Sequence, residues 1–244
     1  MQTILRHSFA LLGLLGLAAA GTAEEPAPNT LTARERADGW KLLFDGKTGR
    51  GWHRLGGKGL PDKWKVIDGA LVVSPKNGKT GGYVLTDDDF GSFELAFDWK
   101  VTPGANSGVM YRVAEEKPDP GLTGPEYQVL DNKRHPDGRS KLTSAASCYG
   151  LYAPSEDATK PVGQWNRAKI VVNGSKVEHW LNGKKVVAYE FGSDDWNGRL
   201  AKSKFREFKK FGRLKKGKIA LQDHGDEVAY RNIKIRRLGG DGGK

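Results

Sequence analysis

"WNRAKIVVNGSKVEHWLNGKKVVAYEF", residues 165–191, holds two tight-turn dipeptides, Asn173-Gly174 and Asn182-Gly183, nine residues apart. Asn-Gly tolerates the positive φ angles of a two-residue hairpin, so the stretch reads as three antiparallel strands in succession, a meander. The same pattern continues outward. "WKVIDGALVV" (64–73) sets two short apolar runs around Asp68-Gly69, a second hairpin signal. In "SFELAFDWKV" (92–101), Phe93, Leu95, Phe97 and Trp99 alternate with Glu94, Ala96, Asp98 and Lys100. That is the two-residue period of a strand with one buried face. "WKLLF" (40–44), "SGVMYRV" (107–113), "EYQVL" (126–130), "YGLYA" (149–153), "GKIALQDHG" (217–225) and "EVAYRNIKIRRL" (227–238) are further short runs. Only residues 31–38 and one basic segment suggest helix. Without strand–helix–strand alternation the expected class is all-β, a two-sheet antiparallel β-sandwich of jelly-roll type with one short helical basic insertion.

The first 26 residues, MQTILRHSFALLGLLGLAAAGTAEEP, carry Arg6 and His7, then an apolar run, then small residues up to Ala23. This is the pattern of a secretory signal over residues 1–23, with an apolar run too short to span a bilayer comfortably. An uncleaved anchor is the alternative. No cysteine stands near Ala20 to Ala23 to carry a lipid. The expectation is an exported chain, periplasmic or extracellular, without a stable membrane anchor. Residues 24–38 read as a linker, 39–238 as one domain and 239–244 as a flexible tail. Cys148 is the single cysteine, so neither an internal disulfide nor a cysteine-rich zinc cluster supports the fold. It reads as a small buried residue rather than a catalytic thiol.

The net charge of the chain is +11. Residues 199–218, RLAKSKFREFKKFGRLKKGK, carry ten Lys or Arg against Glu207 alone. Phe205, Phe208 and Phe211 recur every three residues, which suggests an amphipathic helical turn stopped by Gly212. A basic helix suits nucleic acid, membrane or an acidic glycan. No nucleic-acid-binding motif accompanies the charge, so the segment reads as an insertion that docks its aromatic side, and no nucleic-acid partner is expected.

There is no Gly-x-Ser-x-Gly elbow, no phosphate-binding glycine loop and no His-Glu-x-x-His. What remains is a polar set at strand ends. Asn106 opens the strand bearing Arg112, Glu126 and Gln128 lie on another, and Gln222, Asp223 and His224 end a third. Histidine alone is weak evidence, since His7, His53, His135 and His179 are also present. Amides, carboxylates and arginine beside Trp and Tyr suit sugar hydroxyls and the flat face of a sugar ring.

Eight motifs then occur in order: "GWKLLFDGKTGRGW", "NSGVMYRV", "GPEYQVLDN", "YGLYAP", "GQWNRAKIVVNG", "EHWLNGKKVV", "GKIALQDHG" and "YRNIKIRRL". Together, over residues 39–238, they resemble the 3-keto-disaccharide hydrolase domain family. The resemblance implies a concanavalin A-like sandwich of the lectin and glucanase type. It implies cleavage of 3-keto-glycosides or disaccharides, with a sugar 3-oxidoreductase acting upstream as pathway partner. A ketone at C3 acidifies the C2 hydrogen, so a base can start an elimination that ends as net hydrolysis. Carried over, Glu126 is the first choice for acid or base, with His224 as a second proton-transfer group oriented by Asp223. Arg112 and Gln128 would hold substrate oxygens or stabilise the enolate. Asn106, Asp131, Asn132, Tyr149 and Gln222 would contact the sugar. A divalent metal could polarise the ketone and hydroxyl together, with Glu126, Asp223 and His224 as candidate ligands, although their spacing forms no recognised metal motif.

Two departures bear on this. Glucanases of this sandwich carry paired carboxylates on one strand, whereas Glu126 is followed by Gln128, which argues against conventional retaining hydrolysis. Lys218 stands where many relatives are expected to have histidine. The alternative function is a non-catalytic carbohydrate-binding module of the same fold.

Overall fold

The computed structural model describes residues 26–74, 82–116 and 119–239; the expected signal segment and almost all of the expected tail lie outside them. Among the described residues the strands are β1 (Lys41–Leu42), β2 (Trp52–Arg54), β3 (Trp64–Ile67), β4 (Ala70–Val73), β5 (Val84–Thr86), β6 (Phe93–Val101), β7 (Asn106–Val113), β8 (Glu126–Leu130), β9 (Asn166–Asn173), β10 (Lys176–Leu181), β11 (Lys184–Glu190), β12 (Lys218–Leu221) and β13 (Val228–Arg237). Two helices, α1 (Ala33–Ala37) and α2 (Asp194–Lys202), accompany them. One sheet has the order β11-β10-β9-β6-β13-β4-β3, with β1 also on β13; the other has the order β2-β5-β12-β7-β8. Every pairing is antiparallel. This is the two-sheet sandwich expected from the strand pattern.

Local chemistry explains the hairpins. Asp68 and Gly69 take φ of 48° and 72°, and Asn182 and Gly183 take 49° and 86°, the left-handed pair that a two-residue primed turn demands. The β9–β10 turn differs by one residue. Lys176 pairs with Asn173, so the loop is Gly174-Ser175 with Gly174 at φ 60°. "YGLYA" does not form a strand. Cys148, just before it, makes isolated bridges to Tyr127 on the free edge of β8 and to Tyr152 within the stretch.

The core between the sheets follows the alternation. Phe93, Leu95, Phe97 and Trp99 of β6 are all buried, and Phe97 meets Tyr127 of β8 edge-on at 5.5 Å. Each such side chain contributes roughly 2–3 kcal/mol of burial. Cys148 is buried and its thiol is pushed up to about 12 by desolvation, so it is an inert packing residue.

The basic segment folds differently from its expected helix. α2 begins at Asp194, capped by Ser193, and ends at Lys202, before the phenylalanines. Phe205 and Phe211 instead stack on each other at 4.1 Å within turns, and Phe211 stacks on Trp196 at 6.3 Å. Aromatic docking thus fixes the segment against the domain. Residues 26–38 also pack on the sheet: Asn29 and Asn232 exchange backbone-to-side-chain bonds of 2.6 and 2.8 Å, and Glu35 pairs with Lys234.

Candidate active site

The five-stranded sheet turns one face into the core and keeps a polar set on the other. Val109, Tyr111, Tyr127, Val129, Ile219 and Leu221 belong to the core between the sheets. Leu85, Met110 and Ala220, one residue out of phase, form a separate cluster with Tyr83 packed against it. By the strand period, Glu126 and Gln128 of β8, Asn106 and Gly108 of β7, and Gln222 just beyond β12 share this outer face. Gly108 is part of the design, because a Cβ there would collide with Glu126 Oε1. The missing side chain lets the carboxyl lie across β7.

Around Glu126 stand Tyr149, Asp137, Asp119, Tyr83 and Lys204. The Tyr149 backbone N–H donates to Glu126 O at 3.1 Å, and its hydroxyl donates to Asp137 Oδ2 at 3.2 Å. Lys204 Nζ sits 4.4 Å from the Tyr149 ring centre. Gln222 Nε2 donates to Tyr83 O–H at 3.4 Å. Burial pushes the Glu126 carboxyl up to about 8; Lys204 opposes the rise, while the Asp119 and Asp137 carboxylates add to it. Burial, with help from Asp137 and Glu126, pushes Tyr149 up to about 12. A carboxyl so placed is a much stronger base, once ionised, than a solvated glutamate.

A second group adjoins through the 3-10 turn Pro136–Arg139. His135 caps this turn, its Nδ1 accepting from Asp137 N–H at 3.1 Å. The other ring nitrogen, Nε2, lies 3.4 Å from the Asn106 side-chain amide. The His135 and His224 rings meet edge-on at 5.7 Å, and His224 Nδ1 lies 3.9 Å from Asp226 Oδ2. Asp226 Oδ2 also accepts from Asn106 N–H at 3.0 Å. Asn106 is buried, with Oδ1 unpartnered. With Nδ1 accepting, neutral His135 carries its proton on Nε2, which calls for the amide oxygen on that side; one end of the Asn106 amide is then still open.

Residues 39–236 match the 3-keto-alpha-glucoside-1,2-lyase-like domain family. The chain belongs to that family. It is 36% identical over 230 residues to the 3-keto-disaccharide hydrolase of Bacteroides thetaiotaomicron, covering 83% of this chain and 79% of that one. It is similar in structure to a protein of Parabacteroides distasonis assigned as a glycosyl hydrolase, with a TM-score of 0.80, 33% identity, and coverage of 87% of this chain and 100% of the other. A second such protein of the same organism gives a TM-score of 0.63 at 30% identity, with 82% and 99% covered. Family and structural likeness support a carbohydrate-acting hydrolase.

Within this family frame, the sequence-derived candidates divide. Glu126, Tyr149 and Gln222 fall in the first group, Asn106 and His224 in the second. Arg112 comes to neither. A register shift opposite Lys218 and Ile219 puts Arg112 at φ 51°. Its buried guanidinium donates to Gly91 O at 3.0 Å and Gly174 O at 2.9 Å, bracing two loops. Gln128 shares the outer face but is spent on its own loop, donating to Thr143 O and accepting from Val129 N. Asp131 accepts from Gly104 N and Lys133 N, and Asn132 accepts from Ala145 N. Asp223 accepts from Gly225 N and shapes the turn before Asp226. Lys218 reaches Asp87 O and Asp89.

The metal candidates regroup as well. Ligand atoms of His135, His224 and Asp226 lie within 4.8 Å of one another, without Glu126 or Asp223. A neutral imidazole bound through Nε2 must carry its proton on Nδ1, yet His135 Nδ1 accepts a backbone bond. The present arrangement therefore fits hydrogen bonding better than a resident ion. Residues that sequence reasoning missed are Asp119, Asp137, Lys204, Tyr83, His135 and Asp226. Asp226 stands two residues past His224, and His135 and Asp137 flank one proline. Lys204 gives no local signal.

Proposed function

We propose that this chain is an exported enzyme that cleaves 3-keto-glycosides, with Glu126 removing the C2 proton. The observation that carries the reading is one Glu126 carboxyl, raised to about 8 by burial, on a face where the conventional second catalytic glutamate is a loop-holding glutamine. One strong base and no paired nucleophile suit a carbon acid better than displacement at C1.

In the first step the C2–H pair becomes the C2=C3 bond of an enolate as the carbonyl pair moves onto O3. Its return forms C1=C2 and expels the C1 oxygen, which takes a proton. Water added across C1=C2 gives the 3-keto-sugar, so the sum is hydrolysis. Glu126 holds the C2 proton. In this reading His135, His224 and the open Asn106 amide would bind leaving-group or ring oxygens, with an imidazole delivering the proton. The substrate implies an upstream reaction that oxidises a sugar at C3.

The test is turnover of an aryl 3-keto-glucoside and a 3-keto-disaccharide, with C2 deuterium uptake from heavy water. Glu126→Gln should lower kcat by about a thousandfold while binding persists. kcat/KM should rise with pH through a midpoint near 8, because only the ionised carboxylate is a base. Saturable binding of these sugars without any product would instead favour a binding module.

A further inference from the structure

The enolate needs a positive partner at O3, and Arg112, the sequence-derived choice, is committed to Gly91 and Gly174. We propose that Lys204, from the basic insertion, supplies the charge that stabilises the enolate oxygen formed beside Glu126. This rests on the proposed 3-keto-glycoside chemistry and adds a residue to it.

Four observations converge on Lys204. Its ammonium lies over the Tyr149 ring at 4.4 Å, and Tyr149 is bonded through its backbone to Glu126. Among the described residues it forms no ion pair, as is true of Lys202 and Lys209, whereas Arg199 pairs with Asp195, Arg206 with Glu207 and Lys210 with Glu116. The flanking chain is fixed. Ser203 closes α2 through its N–H to Leu200 O, Phe205 stacks on Phe211, and Gly212 N–H donates to Thr123 O at 3.0 Å. Finally, Lys204 is the cation whose field reaches the Glu126 carboxyl. A cation that favours an ionised base also favours negative charge on an oxygen a few ångströms away, and it does so most when the charge is fully developed.

The insertion thus gains a role its composition concealed. Ten basic residues suggest a polyanion surface, but most of them face solvent or pair locally. One of them, Lys204, is itself exposed but lies over the Tyr149 ring that walls the candidate site. The arrangement places base and electrophile on different elements, β8 and the docked segment.

The groups facing Glu126 are Lys204, Asp119, Asp137, Tyr83 and Tyr149 on the open side, and Cys148 and Tyr230 from the core. Only Lys204 among these is positive. Lys204→Met should therefore lower kcat on a 3-keto-glucoside by about a hundredfold with KM changed little, and move the pH midpoint of kcat/KM upward. Lys204→Arg should restore most of the loss. Lys209→Met, an exposed cation of the same segment, should behave as wild type. A carboxyl carbon-13 titration without substrate, assigned by Glu126→Gln, should show the Glu126 midpoint rising in Lys204→Met. Wild-type turnover with an unchanged kcat in Lys204→Met, or an unmoved Glu126 titration, overturns the Lys204 role alone. Absence of wild-type turnover on every 3-keto-glycoside removes the functional reading and this role with it.

Discussion

His179 of β10 and Glu126 of β8 are both titratable side chains whose charged form is penalised by burial, and the protein treats them in opposite ways. His179 lies between the sheets. Its Nδ1 donates to Ala146 O at 3.0 Å, and its Nε2 accepts from the Tyr111 hydroxyl at 2.7 Å, which accepts in turn from Tyr189. Burial pushes its pKa down to about 4, so it is a neutral, fully bonded core residue. Glu126 lies on the outer face of the other sheet. Among the described residues nothing donates a hydrogen bond to its carboxyl, and burial pushes it up to about 8. Desolvation acts on both; what separates them is whether hydrogen bonds answer it. A fully buried, satisfied polar group specifies a fold, while a partly exposed one without a protein donor, beside other titratable groups, marks a place for chemistry.

The largest expected effect is the thousandfold fall in kcat for Glu126→Gln, with the fold intact. The reverse pattern should follow from His179→Leu. That change leaves the Ala146 carbonyl without its donor and the Tyr111 hydroxyl without its acceptor, at about 3 kcal/mol of stability. Urea unfolding at pH 7.5 reads the loss, and kcat of the folded fraction should stay near wild type. A stable His179→Leu variant with damaged turnover would break the division between the two residues. A smaller effect is expected from Gly108→Ala. Its Cβ would lie only 1.9 Å from Glu126 Oε1, so the carboxyl must swing away. A tenfold to hundredfold loss of kcat, on the order of 1.4–2.7 kcal/mol, should accompany little change in melting temperature. Unchanged kcat in Gly108→Ala would show that the carboxyl position across β7 is not the working one.

The same comparison shows what was legible in the sequence. The sandwich was legible because its signals are local: Asp68-Gly69 and Asn182-Gly183 can adopt their turn angles only as such residues do. The β9–β10 turn moved to Gly174-Ser175 because cross-strand pairing chooses between adjacent solutions. Glu126 was legible from its alternation with Tyr127 and Val129. Arg112 misled for the same reason, since strict alternation puts it on that face and a bulge, set by pairing with β12, removes it. Gln128, Asp131 and Asn132 have the residue types of sugar ligands, but the nearby loop uses their polar atoms first. Lys204, Asp119 and Asp137 arrive from distant parts of the chain, and no spacing records that meeting.

The smallest effect is the most diagnostic, because the two residues should give stability slopes of opposite sign. The folded-state pKa of Glu126 is raised from 4.5 to about 8. Below pH 4.5 the carboxyl is protonated in both folded and unfolded chains and favours neither. As pH rises from 4.5 to 8 the unfolded chain ionises first, so stability is lost across that window and stays lost above it. Glu126→Gln removes this loss. It should match wild type at pH 4 and exceed it by about 2 kcal/mol at pH 9, a figure reduced for the partial exposure of the side chain. His179 runs the other way: its pKa is lowered from 6.5 to about 4, so its contribution is present above 6.5 and lost as pH falls through 4. His179→Leu should therefore flatten the acid limb of the stability profile and leave the alkaline limb alone. Denaturant midpoints measured from pH 4 to 9 on both variants test the pair together. Equal slopes would mean that Glu126 is as well satisfied as His179, and the case for Glu126 as a poised base would fail.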